Sequence, residues 1–260
     1  MRPPPLAVVT LVAWASGCAA SAAPPPATPL VDTPAPAASP ATDDRAAATR
    51  LLELAIEAKG GRARLTALRS LHATGTIRLV SADFQVVGEF ERWLVVPDRQ
   101  RVDVTVNGKT ISVIIAGDEA VQRTDAQLRP VEGVAADQLV ASLWRDRDLV
   151  LRNALAPDAS VGDAGTEVVA DTTCDAFTVR RAGEPRVRVL LDPATHAIVR
   201  LVPLGDDARG HEDAADYQAV DGLQVARRIT SVGAGPSTEL TLATVELDLP
   251  IAADVFALAP

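Results

Sequence analysis

Residues 100–106 and 110–115 alternate apolar and polar side chains on either side of Asn107-Gly108. Both positions of a two-residue hairpin turn need positive φ, which Asn and Gly tolerate, so this is the strongest short hairpin signal in the chain. Further turn signals stand at Pro97-Asp98, Gly117-Asp118, Gly183-Glu184, Asp192-Pro193 and Asp221-Gly222. Repeated about every 8–12 residues, such signals predict a meander of antiparallel strands. The strands are expected over 72–80, 84–96, 100–106, 110–115 and 119–124, then over 166–170, 175–181, 186–191, 196–202, 214–220, 223–231 and 238–247. In the long segment 84–96, Phe84, Val86, Phe90 and Leu94 share one parity, while Glu89, Glu91 and Trp93 share the other. Glu89 and Glu91 are like charges on one strand face, and alternation turns that face to solvent.

Three helical pieces interrupt this pattern. Asp43-Asp44 precedes an Ala-rich segment, 45–58, whose stripe is Leu51, Leu52, Ala55 and Ile56, with Glu53, Glu57 and Lys59 away from it. Gly60-Gly61 stops it, and a shorter helix follows through Leu65 and Leu68. Over 134–155, Val140, Leu143, Trp144, Leu151 and Leu155 recur at helical spacing, with Asp146, Arg147, Asp148 and Arg152 opposite. The class is therefore α+β, one sheet of about 11–12 strands with about three helices. A sheet that wide curls under its own twist, and the helices are the available cover for its concave face.

The first 43 residues are a different material. Residues 1–17 carry Arg2 and a short apolar run from Leu6 to Ala15, the layout of an export signal. Ala15-Ser16-Gly17-Cys18 resembles a lipobox, where the cysteine thiol is alkylated with a diacylglycerol and the chain is cut before it. Cleavage after a small-x-small site such as Ala20-Ser21-Ala22 is the other reading. Ala19 following the cysteine favours the outer membrane under the enterobacterial sorting rule. Residues 18–43 hold seven prolines from Pro24 to Pro40 and cannot bury enough surface to order themselves. Extended, about 25 such residues reach about 78 Å at roughly 3.1 Å each, so residues 44–260 would stand clear of a bilayer.

Composition excludes several classes. A formal charge of −9 argues against a nucleic-acid partner. His72, His196 and His211 are the only histidines, and His211-Glu212-Asp213 is not a His-Glu-x-x-His pair, so no zinc site is expected. Gly233-Ala234-Gly235 is followed by Pro236 and reads as a loop, not a dinucleotide motif. Neither a Gly-x-Ser-x-Gly elbow nor a phosphate loop is present, and no cofactor is implied. Cys174, unpaired once Cys18 is acylated, reads as a small buried hydrophobe.

Several segments resemble bacterial outer-membrane lipoprotein-sorting proteins, the LolA/LolB-like half-barrel superfamily. They are Ala58-Lys59-Gly60-Gly61, Leu68 to Thr76, Val96 to Arg101, Leu191 to Thr195 with Val199-Arg200-Leu201, and Tyr217 to Leu223 with Arg227-Arg228-Ile229. The resemblance covers about residues 45–258. It implies an unclosed antiparallel barrel cupping helices around an apolar cavity for acyl chains such as palmitate, with no enzymatic activity. Its implied partners are a lipid or lipoprotein acyl chain and an envelope protein, beside the membrane that the lipid anchor at Cys18 would reach. Phe84, Phe90, Leu94, Val104, Ile111, Val113, Leu143 and Trp144 are expected to face the interior, as packed core or as cavity lining. A void of about 300 Å³ or more would favour a ligand site. Close packing would favour a tethered sensor or interaction module whose partner is an envelope peptidase or stress-signalling component.

Overall fold

A computed structural model of the chain describes residues 41–258, apart from 125–126, 183–185, 206–209 and 234. The export signal, Cys18 and nearly all of the tether lie outside the described residues, as do the Gly183-Glu184 turn and Ala234. The elements run α1 (Ala41–Lys59), α2 (Arg62–Ala67), β1 (Ser70–Val80), β2 (Gln85–Val95), β3 (Arg99–Val106), β4 (Lys109–Ala116), β5 (Glu119–Thr124) and β6 (Gln127–Val131). After them come α3 (Val134–Trp144), α4 (Val150–Asn153), β7 (Ala159–Val169), β8 (Thr172–Arg181), β9 (Arg186–Leu191) and β10 (Ile198–Leu204). The last strands are β11 (His211–Val220), β12 (Leu223–Val232) and β13 (Ser237–Leu247), followed by a 3₁₀ turn at Ala253–Phe256.

All the strands form one antiparallel sheet in the order β6-β5-β4-β3-β2-β1-β13-β12-β11-β10-β9-β8-β7. Each hairpin pairs with the next, and the single non-sequential pairing joins β1 to β13 in the middle. The edges β6 and β7 stay apart, and the helical segment from α3 to α4 carries the chain from one edge to the other. The hairpin turns follow their chemistry: Asn107 and Gly108 have φ of 52° and 73°, Asp221 and Gly222 of 43° and 83°.

Among the described residues the sheet has 13 strands, not 11–12. The added one is β6, whose Pro130 cannot donate to a ladder and is tolerated because β6 is an edge. There are four α-helices among the described residues, not three, because the expected helix over 134–155 breaks after Trp144. Asp146, Arg147 and Asp148 occupy the break, and their side chains turn inward to ion pairs instead of lying on a solvated face.

One large core joins the helices to the inner face of the sheet. It gathers Leu52, Ile56 and Leu65 from α1 and α2, Leu139 and Leu143 from α3, and strand residues such as Ile77, Leu94, Phe177 and Ile229. A smaller cluster on the other face packs Phe256 and Ile251 of the C-terminal tail against Ile114, Val121 and Trp93. Arg101 and Arg123 tie that tail down by donating to the carbonyls of Val255 and Ala257, at 3.3 and 2.9 Å.

The stop after α1 is a Schellman motif: Gly61 N–H donates to Ile56 O and Gly60 N–H to Glu57 O. Gly60 has φ +128°, and a Cβ there would lie 2.1 Å from the carbonyl oxygen of Gly222. The junction of the helices thus rests on the β11–β12 turn by backbone contact. Gly60→Ala is expected to cost about 2 kcal/mol, from strain and from displacing that turn. Urea unfolding checks this, and an unchanged midpoint would show that the approach is not needed.

Candidate functional site

Inward-facing residues alternate along β1, β2 and β3: Ile77 and Leu79, then Phe90 and Arg92, then Gln100, Val102 and Val104. Across the concavity β9 and β10 supply Val187, Leu201 and Pro203, β13 supplies Leu240, and α3 contributes Leu139 and Ser142. Between them lies a cavity of about 210 Å³ with predominantly apolar walls. The space is smaller than the 300 Å³ mark, yet it is not close packing.

One part of its wall is charged. Arg145, Asp146 and Arg147 reach it from the helix break, Arg92 and Gln100 from β2 and β3, and Glu212 from β11. Arg92 Nη1 pairs with Asp148 Oδ2 at 3.1 Å, Arg92 Nη2 stands 2.9 Å from Asp146 Oδ2, and Arg92 Nε donates to Gln100 Oε1 at 3.0 Å. Asp148 also receives Lys59 Nζ at 3.1 Å from the last turn of α1. Arg147 Nη1 donates to Glu212 Oε1 at 3.2 Å. Three cations and three carboxylates therefore interlock α1, β2, β11 and the helix break beneath the cavity.

Burial sets the electrostatics. Desolvation alone would raise the Asp148 carboxyl, but Lys59, Arg147 and Arg92 outweigh it and hold the group well below the ordinary carboxylate range. Glu212 goes the other way: burial pushes it up, and Arg147 offsets only part of this. Burial, then the Asp148 charge, likewise raises the Tyr217 hydroxyl, which donates to Ile198 O at 2.7 Å.

Of the residues expected inside, Phe90, Val104 and Val113 line the cavity. Leu94 and Leu143 are buried in the core, and Phe84 and Trp144 pack half-buried against it. Ile111 is half-buried and lies outside the cavity wall. Lys59, expected away from the apolar stripe, is instead 7% exposed, because its long stem reaches the buried Asp148. The charged wall went unread in the sequence. Its one legible signal was Arg92, which shares the inward parity of Phe90 and Leu94.

The remaining candidates do not converge on chemistry. His72 lies on the outer face, 2.8 Å from Glu91 and 3.3 Å from Glu246, and stacks on Trp93 at 5.4 Å. His196 occupies a turn at φ 55°, and His211 stands 3.6 Å from Asp213. Among the described residues no group of three His, Cys, Asp or Glu could hold a metal ion. Cys174 is buried with Ala176 and Leu190 on the outer face, and burial pushes its thiol up.

This wide, unclosed antiparallel sheet wrapped around helices is similar in fold to solved structures of LolA superfamily and outer membrane lipoprotein-sorting domain proteins. Three solved structures carry the comparison. An outer membrane lipoprotein-sorting protein domain from Vibrio parahaemolyticus is 14% identical, with a TM-score of 0.54 over 80% of this chain and 97% of that one. A LolA superfamily protein from Nitrosomonas europaea is 11% identical, with a TM-score of 0.56 over 81% and 97%. A DUF1329 family protein from Desulfovibrio piger is 13% identical, with a TM-score of 0.56 over the same shares. No family model and no curated protein matches the sequence. Among the described residues no helix is long and apolar enough to cross a membrane.

Proposed function

We propose that this protein is a lipid-anchored component of the bacterial envelope that binds a lipid or lipoprotein acyl chain in its half-barrel cavity, without catalysing a reaction. The apolar cavity between β1–β3, β9–β10 and α3 is the observation that carries this reading. Each methylene moved from water onto such walls contributes about 0.8 kcal/mol, so a chain of modest length binds without any polar contact. Cys18 would be the lipidation site, residues 18–43 the tether, and residues 44–260 the binding domain facing the periplasm from the outer membrane.

Lipid extraction and mass spectrometry of the purified protein, with displacement of a fluorescent fatty acid, test the binding. A co-purifying lipid and competitive displacement are expected. The modest volume of 210 Å³ favours a second reading, a tethered sensor or interaction module that binds an envelope protein instead. A folded protein with neither bound lipid nor displacement would select it. The anchor is tested separately: Cys18→Ser should move the protein from the membrane fraction to the soluble one. Unchanged fractionation would remove the lipidation assignment and leave export to the periplasm.

A further inference from the structure

The cavity occupies only one end of the half-barrel's interior. β2, β9 and β13 run in the same direction through the sheet. Along each, inward residues first line the cavity and then leave it. Phe90 and Arg92 give way to Leu94 on β2, Val187 to Val189 on β9, and Thr238 and Leu240 to Leu242 on β13. Leu94, Val189 and Leu242 are buried in packed core. The ion network stands at this boundary: Arg92 is held by Asp146 and Asp148, Arg147 by Glu212, and Leu149, next after Asp148, is fully buried. Admitting a chain past this level would separate buried ions that hold one another, which is strongly unfavourable. The side walls are also fixed. β1, β2 and β9 are each hydrogen-bonded to a strand on both sides, and Asn153 Nδ2 pins the C-terminal end of α3 by donating to Trp144 O at 2.8 Å. Pro203, near the end of β10, and Pro236, just before β13, line the opposite end of the cavity, and both are partly exposed.

We propose that the cavity limits the length of its ligand: a single acyl chain enters methyl-first past Pro203 and Pro236 and is stopped at the level of Arg92 after about eight carbons. This rests on the lipid-cavity reading and deepens it by naming the class of chain. A cavity of about 150 Å³ takes the six carbons of benzene, about 25 Å³ each, so one of about 210 Å³ holds about eight. A medium-length chain is then enclosed whole. A palmitoyl chain leaves its head-proximal half outside, and the second chain of a diacyl lipid has no room.

The test uses the full chain, stripped of lipid, with straight-chain fatty acids of six to sixteen carbons each competing against a fluorescent fatty acid. Affinity should rise about fourfold per added carbon up to about eight carbons and then level off. A gain of that size continuing to fourteen carbons would overturn the length limit and leave the lipid cavity standing. Failure of every acid to compete would overturn both readings. Val102→Ala removes two methyl groups from the wall, about 50 Å³ on the same scale, and should move the break outward by about two carbons. Circular dichroism checks that this variant is folded. A break that stays in place in the folded variant would show that this cavity does not set it, and would overturn the proposal.

Discussion

Replacing Asp148 by Asn is expected to destabilise the protein by about 3–5 kcal/mol, because one partner of a buried ion network is removed and the others stay. Lys59 and Arg92 each lie 3.1 Å from this carboxylate and are themselves buried. Without it, among the described residues, Lys59 has no other anion within ion-pair distance, and Arg92 keeps only Asp146. The effect depends on pH with a definite sign. The folded carboxyl is held below its unfolded value, so its contribution is fully present above about pH 4 and is lost as pH falls toward the folded value. The deficit of Asp148→Asn against the parent should therefore be full at pH 7 and shrink below about pH 4. Glu212 works in the opposite sense, contributing most below about pH 4 and losing that contribution as pH rises through its elevated folded value. Urea unfolding at pH 7 and pH 3 measures both parts. A variant within about 1 kcal/mol of the parent at pH 7 would mean that the network does not hold the helices to the sheet.

The second large effect concerns binding. Val102→Trp places an indole in the cavity from the middle of β3. If it excludes about three methylenes of a bound chain, the loss is about 2.4 kcal/mol at about 0.8 each. That weakens Kd roughly fiftyfold. Overpacking costs about 1–3 kcal/mol of stability, so the variant should remain folded, and circular dichroism would confirm it. Val87→Trp is the control, since Val87 is 61% exposed on the outer side of β2 and should leave affinity unchanged. Unaltered binding by Val102→Trp would place the acyl chain outside this cavity.

Strand and turn chemistry was legible because it is local. Asn107-Gly108 and Asp221-Gly222 need positive φ whatever surrounds them, and they hold it. Alternation along β2 put Phe90 and Leu94 on one side and Glu89, Glu91 and Trp93 on the other, as the core and the outer face divide them. The strand that escaped, β6, carries Pro130, which argues against a strand unless one knows that it lies on an edge.

The site was another matter. Asp146, Arg147 and Asp148 looked like the wet side of a helix, and Lys59 like a charged residue at a helix end. Each of these is the ordinary outcome for a charge in an amphipathic pattern. What reverses it is the presence, 50 to 90 positions away, of a partner that compensates burial: Lys59 and Asp148 are 89 residues apart, and Arg92 and Asp148 are 56.

Residue order alone determined the antiparallel meander, its main turns, the helix stop at Gly60-Gly61 and the side of β2 that faces inward, because φ preference and side-chain alternation act over a few residues. Only the tertiary structure decided that β1 meets β13, that one expected helix breaks, and that a charged wall stands beside an apolar cavity. Those outcomes depend on which buried charges find one another across the fold, and the desolvation of an ion is offset only by a partner that the local sequence does not contain.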